Sequence, residues 1–257
     1  MRICFLGTCA GTEPMPDKKH VSFVVESDKR IYWFDAGEGC SQTAHLMGID
    51  LLHTCKIVIS HTHMDHVGGL GNLLWNIRKL SNIKRQQPVF GNIDLFIPNM
   101  ETWDGIMKIL RNTEGGFQTD FQINAELTAD GELFDDGVMK AIAFHNHHLP
   151  SDGSQHWRSF SFRICCEGKT LVYSGDIAAC SDLDPVIGDG CDALIVETGH
   201  HKIDEIYEYT RDKKIGQIYF NHCGREILNA PETAGLKVQE LFGVNGVICR
   251  DRMVVEL

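Results

Sequence analysis

The first sixty residues alternate between short apolar runs and polar breaks, a pattern typical of β-strands joined by turns. Residues 2–7 predict a first strand, and residues 20–26 and 30–35 predict the two arms of a β-hairpin. A helix is expected over residues 40–48, and the apolar run at 56–60 predicts a buried strand. The chain therefore begins with strands and a helix in alternation.

The rest of the chain continues this alternation. A helix is expected to begin at Leu70, and residues 99–111 have helical periodicity. Residues 121–142 contain short strand-like runs separated by Asp-Gly turns, as in an antiparallel sheet. Further strands are predicted at residues 93–98, 138–144, 160–164, 169–176, 192–197 and 215–222. At 257 residues, without a repeat or a low-complexity linker, the chain is expected to form one domain over 1–257, of α/β or α+β class.

A cluster of potential metal ligands follows the strand predicted at 56–60, where the chain reads His61-Thr62-His63-Met64-Asp65-His66. Side chains alternate along an extended segment, so His61 and His63 face one way and can bind the same metal. Asp65 and His66 lie where the chain turns into a helix, and they can reach a second point. Neutral imidazole and carboxylate suit zinc and its first-row neighbours. The spacing predicts two metals rather than one.

Other strand ends carry the same kinds of side chain. The strand at 138–144 runs into a histidine-rich segment, in which His147 and His148 both offer a third imidazole. Asp176 and His222 end two later strands. Because strand ends at one sheet edge lie close together, these residues extend the predicted metal site.

A carboxylate and a histidine at the end of a further strand suggest a different role. Glu197 lies three residues before His200, and an acid at that spacing can orient the imidazole for proton donation. His200 is therefore the candidate general acid and Glu197 its orienting partner. The alternative is that His200 and His201 are simply a pair of surface histidines.

The net charge of the chain limits the kinds of molecule that it is expected to bind. The formal net charge is −11, whereas a general grip on nucleic acid needs clustered Lys and Arg. The most basic stretch, at 76–85, fits a solvated helix end whose cations complement the helix dipole better than it fits a nucleic-acid patch. We therefore expect a small anionic substrate near the metals and no long nucleic acid.

The cysteines and the apolar runs bear on the expected cellular location of the protein. The ten cysteines include no Cys-x-x-Cys pair, and several fall in apolar strands, which predicts buried reduced thiols in a cytoplasmic protein. No apolar run approaches the roughly 18 to 20 residues needed to cross a bilayer, so no membrane association is expected. Residues 2–7 fit a strand rather than a signal peptide.

The string from His61 to His66 resembles the His-x-His-x-Asp-His signature of metallo-β-lactamase-fold hydrolases. The resemblance extends over essentially the whole chain and implies an α+β fold, the four-layer αββα sandwich. It implies that His61, His63 and His147 bind one metal and that Asp65, His66 and His222 bind the other, with Asp176 bridging. His147 is preferred over His148 because its spacing to Pro150 and to the strand at 160–164 resembles the third motif of the family. Asp35 is expected to hydrogen-bond a ligand loop.

Within that superfamily, residues 5–8, 34–39 and 222–225 resemble the ribonuclease Z and phosphodiesterase branch. Residues 98–147 contain no long Gly/Pro and basic insertion of the kind that forms the tRNA-binding arm. The resemblance therefore implies a phosphodiesterase for a small, cyclic or modified nucleotide-like substrate, which acts through a hydroxide that bridges two metals. Zinc is the default metal, with manganese or iron as alternatives, and a homodimer is an expectation of the resemblance.

Three other functions stay open. The first is a ribonuclease Z-like RNA endonuclease, and the second is a hydrolase of carboxylic esters, lactones or thioesters. The third, a metal-binding protein without turnover, agrees least with a complete ligand set accompanied by His200.

Overall fold

The computed structural model describes residues 1–151, 153 and 156–257, which fall into two compact units. The first unit comprises residues 1–7, 16–128 and 251–256, and the second comprises residues 8–15, 129–250 and 257. The strands are β1 (Arg2–Gly7), β2 (Ser22–Ser27), β3 (Arg30–Phe34), β4 (Thr54–Val58), β5 (Asn92–Ile97), β6 (Gln122–Leu127), β7 (Gly131–Asp135), β8 (Met139–His145), β9 (Phe160–Cys166), β10 (Lys169–Tyr173), β11 (Cys191–Thr198), β12 (Ile215–Cys223), β13 (Gly246–Ile248) and β14 (Val254–Glu256). The α-helices are α1 (Cys40–Leu46), α2 (Met64–Val67), α3 (Leu70–Lys84), α4 (Met100–Arg111), α5 (Asp184–Ile187), α6 (Ile203–Thr210), α7 (Arg225–Asn229) and α8 (Pro231–Phe242).

The first unit is built on a mixed seven-stranded sheet in the order β14-β1-β2-β3-β4-β5-β6. The strands from β14 to β3 pair antiparallel, and those from β3 to β6 pair parallel. Parallel neighbours need crossovers, which α1, α3 and α4 provide. The predicted hairpin is present as β2 and β3, with Ser27 opposite Arg30. The pattern of strands and helices expected for this part of the chain is therefore found, with one correction. Residues 121–142 were expected to form an antiparallel second sheet, but β6 joins the first sheet and pairs parallel with β5, because the crossover helix α4 returns the chain in the same direction.

Helix α3 shows why the sequence forms these crossovers. Leu70, Leu73, Leu74 and Ile77 recur at helical spacing and are fully buried in the core of the first unit. Helix α4 begins where the side chain of Asn99 accepts a hydrogen bond from the backbone N–H of Thr102 at 2.9 Å. Both helices bury one apolar face on the sheet, which fixes the loops at the ends of β4 and β5.

The second unit has a sheet with the same division, in the order β13-β12-β11-β10-β9-β8-β7. The strands from β7 to β10 pair antiparallel, and those from β10 to β13 pair parallel. The carboxyl ends of β10, β11 and β12 therefore meet at one edge of the sheet. Helices α5 to α8, for which no prediction was made, bury apolar residues such as Val186, Ile206 and Val238 in the core of this unit.

Two predicted strands end earlier than expected, and both ends matter for the site. The strand predicted at 56–60 ends at Val58, since the backbone N–H of Ser60 donates to the Asp35 carboxylate instead of to a neighbouring strand. The strand predicted at 169–176 ends at Tyr173, and Gly175 follows with φ of 55°, a left-handed conformation that glycine adopts without steric cost. Both segments leave the sheet just before a candidate ligand.

Two expectations from composition can be compared with the structure. All ten cysteines lie within the described residues, none of them is in a disulfide, and seven are buried. Among the described residues, no helix combines the length and the apolar character needed to cross a bilayer. The expected single domain over 1–257 stays a prediction.

Candidate metal centre

In the first unit, the motif from His61 to His66 follows β4 directly and runs into the short helix α2. His61 and His66 are fully buried, Asp65 is nearly so, and His63 is exposed. The ring centroid of His61 lies 4.6 Å from that of His63 and 4.0 Å from that of His66. Oδ2 of Asp65 lies 3.4 Å from Nε2 of His66. The structure therefore brings these four side chains together at the end of one strand.

Asp35, at the end of β3, holds this motif in place. Its Oδ2 lies 2.7 Å from Nδ1 of His66, and its Oδ1 accepts the backbone N–H of Ser60 at 2.7 Å. The Ser60 hydroxyl donates to Oδ2 of Asp35 at 2.8 Å. Because a carboxylate can only accept, Nδ1 of His66 is the protonated nitrogen and Nε2 is the basic one that can bind a metal. The prediction that Asp35 hydrogen-bonds a ligand loop is confirmed.

Ser60 is a contributor that the sequence reasoning missed. Its hydroxyl lies 3.1 Å from Nδ1 of His61 as well as 2.8 Å from Asp35. Its position immediately before His61 was the only available signal, because a serine after an apolar strand has no chemistry that distinguishes it from a turn residue. Ser60 therefore helps to set the orientation of the first histidine.

In the second unit, four side chains converge at the carboxyl ends of three parallel strands. We call Asp176, Glu197, His200 and His222 the carboxylate–histidine cluster; each offers one ligand atom, all within 4.8 Å of one another. Nδ1 of His222 lies 3.3 Å from Oδ1 of Asp176 and 3.6 Å from Oε2 of Glu197. Asp176, Glu197 and His222 are at most 2% exposed, so the two carboxylates lie beside the imidazole of His222 with little access to water. Imidazole nitrogens and carboxylate oxygens at this separation are the donor set that a divalent metal accepts.

His200 is held by Glu197 through two contacts. The backbone N–H of His200 donates to Oε2 of Glu197 at 2.9 Å, and Nδ1 of His200 lies 3.1 Å from Oε1. The hydrogen bond to Glu197 raises the pKa of His200, although burial acts in the opposite direction. Burial by itself would raise the pKa of Glu197. Its hydrogen bonds with His200 and His222 outweigh this effect, and the pKa of Glu197 is lowered overall. Glu197 is thus an ionised carboxylate that favours the protonated imidazole.

The backbone around His222 is constrained by its role in the cluster. His222 has φ of 47°, in the left-handed region, where a non-glycine residue is uncommon. A Cβ placed on Gly199 would lie 2.5 Å from Nδ1 of His222, closer than atoms can approach. The glycine in the segment Thr198-Gly199-His200 therefore makes room for the imidazole of His222.

The two candidates for the third imidazole separate clearly in the second unit. His148 is 10% exposed, and its Nε2 lies 3.8 Å from Oδ2 of Asp176. His147 is 61% exposed, and its Nδ1 lies 2.6 Å from Oδ1 of Asp182. The structure thus brings His148, and not His147, to Asp176. Both residues follow the end of β8, so the period-two alternation of a strand does not apply to them.

The basic stretch at 76–85 is largely occupied by contacts within the first unit. Arg78 is buried and donates to the carbonyl of Gln118 at 2.8 Å, and Lys79 lies over the ring of Trp75. Lys84 bonds both carboxylate oxygens of Asp50 at 3.1 Å. These contacts agree with a structural helix end rather than a surface dedicated to phosphate groups.

Comparison with known proteins then identifies the family. The chain matches the family described as "Anti-Pycsar protein Apyc1" over residues 1–230. The chain belongs to this family. Among curated proteins, this Apyc1 family member is 26% identical over 210 residues to a ribonuclease Z of Mycobacterium avium. The match covers 76% of this chain and 69% of that protein. It is also 29% identical over 151 residues to a ribonuclease Z of Methanothermobacter thermautotrophicus, a match that spans 57% of this chain but only 45% of that protein.

Solved structures show the fold of this Apyc1 family member. The short form of human tRNase Z matches with a TM-score of 0.75 at 19% identity, covering 100% of this chain and 99% of that one. Zn²⁺-bound PqqB from Methylobacterium extorquens matches with a TM-score of 0.70 at 16% identity and covers all of both chains. A diphosphatase from the PhnP family matches with a TM-score of 0.68 at 16% identity, covering 100% and 97%.

These matches bear on four predictions. The predicted α+β metallo-β-lactamase fold is confirmed, as is the resemblance to the ribonuclease Z and phosphodiesterase branch. The class of enzyme is confirmed as a hydrolase of that superfamily. The Zn²⁺-bound relative and the carboxylate–histidine cluster together indicate divalent metal binding.

Proposed function

We propose that this chain is a metal-dependent phosphodiesterase that hydrolyses a small cyclic-nucleotide-like phosphodiester. The observation that carries the proposal is the carboxylate–histidine cluster, in which Asp176 and His222 offer metal ligand atoms and Glu197 holds the imidazole of His200. Membership of the Apyc1 family supports the substrate class, since Apyc1 is a cyclic nucleotide phosphodiesterase. The diphosphatase among the structural neighbours supports phosphorus chemistry in this fold.

We assign the ligands by combining the motif with the distances within each unit. His61, His63 and His148 are proposed for one metal, and Asp65, His66 and His222 for the other, with Asp176 shared. This set replaces His147 by His148, because His148 approaches Asp176 while the ring of His147 is bonded to Asp182. Zinc is the proposed metal, since histidine and carboxylate ligands without cysteine suit it, although they also suit manganese and iron.

The metals and the protein have separate tasks in this proposal. A pair of divalent cations supplies a nucleophilic water at neutral pH and offsets negative charge on phosphorus. His200 gives its proton to the leaving oxygen, and Glu197 keeps the imidazole oriented and charged for that purpose. Asp35 and Ser60 fix His66 and His61 before substrate arrives.

A small substrate agrees better with the surface than RNA does. Between β5 and β8, the structure contains helix α4 and strands β6 and β7, with no long extension that would serve as an arm. The basic side chains of α3 are engaged within the first unit, and the formal net charge is −11. A ribonuclease Z-like endonuclease remains the second candidate, since ribonucleases Z are among the curated relatives.

A panel of substrates tests the proposal. After metal loading, kcat/KM is compared for a 3′,5′-cyclic mononucleotide, an aryl phosphomonoester, a lactone, a thioester and a precursor tRNA. We expect the cyclic diester to exceed each of the others by about 100-fold or more. A preference for the lactone or thioester would establish carboxylic ester chemistry, and a preference for precursor tRNA would establish the endonuclease. Absence of turnover on every substrate by protein that holds its metals would indicate a non-catalytic metal-binding protein.

Two further properties belong to the same proposal. Ten cysteines without a disulfide are compatible with a reducing compartment, and we propose a cytoplasmic location. A homodimer remains an expectation of the family resemblance, which analytical ultracentrifugation of the metal-loaded protein would test.

A further inference from the structure

Asp182 connects two segments of the second unit that each carry a proposed ligand. Its Oδ1 lies 2.6 Å from Nδ1 of His147, and its Oδ2 accepts the backbone N–H of His147 at 3.2 Å. The same Oδ2 accepts the backbone N–H groups of Ala178 at 3.0 Å and Ala179 at 3.4 Å. One carboxylate therefore binds the residue next to His148 and the residues that follow Asp176.

The environment makes this carboxylate effective. The Asp182 side chain is 7% exposed, so its hydrogen bonds are little weakened by competing water. Hydrogen bonds to an ionised acceptor are roughly twice as strong as those between neutral groups. Asp182 has no place in the ligand set, and nothing in the sequence marks it, because it lies six residues beyond Asp176 in a polar turn.

The two connected segments have other anchors that hold each of them separately. Asn146 bonds Ser161 at 3.1 Å and accepts the backbone N–H of His148 at 3.2 Å, and the backbone N–H of Ile177 donates to Glu197 at 3.3 Å. A direct link between the segments also runs from Asn146 to the carbonyl of Ser174, but at 3.5 Å it is at the limit of a hydrogen bond. Asp182 supplies the stronger connection between them.

We propose that Asp182 is a positioning residue that sets the spacing between His148 and Asp176, and so the affinity of the metal centre for its metals. The Nε2–Oδ2 distance between these two residues is 3.8 Å. Without the Asp182 carboxylate, the segments around His147 and Ala178 lose their strongest hydrogen-bonded connection, and the separation of their ligands is less firmly fixed. The inference rests on the proposed ligand set, and it adds a residue outside that set.

Metal affinity, measured without substrate, tests the inference. Zn²⁺ is titrated into the metal-free full-length protein against a chromogenic chelator, and the absorption of the Co²⁺-loaded protein is recorded. We expect Asp182→Ala to weaken the affinity about 10- to 100-fold, the usual effect of losing a group that orients metal ligands, and to alter the Co²⁺ spectrum. We expect Asp182→Glu to restore part of the affinity.

The matched control is Asp184→Ala, two residues away, whose carboxylate bonds Lys213 and Tyr209 at the surface. We expect it to leave the Zn²⁺ affinity and the Co²⁺ spectrum unchanged. Equal affinities for Asp182→Ala and Asp184→Ala would overturn the inference.

If Asp182→Ala does not fold, His147→Ala serves as a second test, because it removes one of the hydrogen bonds to Asp182. We expect His147→Ala to weaken the Zn²⁺ affinity more than Asp184→Ala does, and equal affinities for these two variants would also overturn the inference. Weakened affinity in Asp182→Ala supports the inference even if the wild-type protein binds metal and fails to hydrolyse cyclic nucleotides, a result that would contradict only the proposed function.

Discussion

Nδ1 of His66 lies 2.7 Å from Oδ2 of Asp35, and both side chains are fully buried. The carboxylate selects the tautomer of the imidazole and fixes its plane, so Nε2 is the basic nitrogen that can bind a metal. Asp35 itself has φ of 57°, which turns the chain out of β3 and brings its side chain to the histidine motif.

Replacing this carboxylate by an amide should weaken metal binding. In Asp35→Asn, the amide oxygen can still accept from Ser60, but an NH₂ group toward His66 favours the imidazole with Nδ1 unprotonated and Nε2 protonated. A protonated Nε2 cannot bind a metal, and we expect a loss of affinity of about 10- to 100-fold in a Zn²⁺ titration. The control is Asp28→Asn, at the tip of the hairpin, which removes one carboxylate from the same unit and should leave the Zn²⁺ affinity unchanged. Unaltered affinity in Asp35→Asn would show that the tautomer of His66 is set in another way.

The two neighbouring histidines after β8 should differ in their effect on metal content. His148→Ala removes an imidazole beside Asp176, and we expect the metal content by elemental analysis to fall from two per chain to about one. His147→Ala removes a side chain that bonds Asp182, and we expect two metals per chain to remain at saturating Zn²⁺. The reverse pattern would restore His147 as the ligand.

The proton donor should be separable from the metal centre. We expect His200→Ala to lower kcat by about 10²- to 10⁴-fold, the usual contribution of a general acid, while two metals stay bound. His156→Ala, at an exposed histidine outside the cluster, serves as the control and should keep the wild-type kcat. The role of His200 as an acid would be excluded by an undiminished rate with a substrate whose leaving group needs protonation.

One prediction concerns stability at acid pH. The backbone N–H of Thr170 and the ammonium of Lys169 bond the Asp192 carboxylate at 2.8 and 3.0 Å and lower its pKa. A carboxylate with a lowered pKa in the folded state contributes stability above the unfolded pKa of about 3.9, and loses it as pH falls through the folded value. The free energy of unfolding, measured in urea between pH 5 and 2.5, should therefore fall less steeply in Asp192→Asn than in wild type. Asp189→Asn, at an exposed position of the same unit, should follow the wild-type slope; identical slopes for all three proteins would contradict the prediction.

Features that depend on residues close in sequence could be predicted, whereas features that depend on distant residues could not. The motif from His61 to His66 and the carboxylates Asp176 and Glu197 were visible in the sequence as candidate site residues, because each lies at the end of an apolar strand. The distinction between His147 and His148 was not, since it depends on Asp182, which is distant in sequence from both. The pairing of β14 with β1 joins residues about 250 positions apart, and no local pattern indicates it.

In the proposed function, metal-bound protein hydrolyses a cyclic phosphodiester through a centre that includes Asp176. The most direct measurement is the rate of ring opening of a 3′,5′-cyclic mononucleotide, followed by chromatography, for Zn²⁺-loaded wild type and Asp176→Asn. We predict turnover by wild type and a decrease in kcat/KM of about 10³-fold or more in the variant, because the shared carboxylate is lost. A wild-type protein that holds two metals without opening the ring, or a variant as active as wild type, would contradict the account.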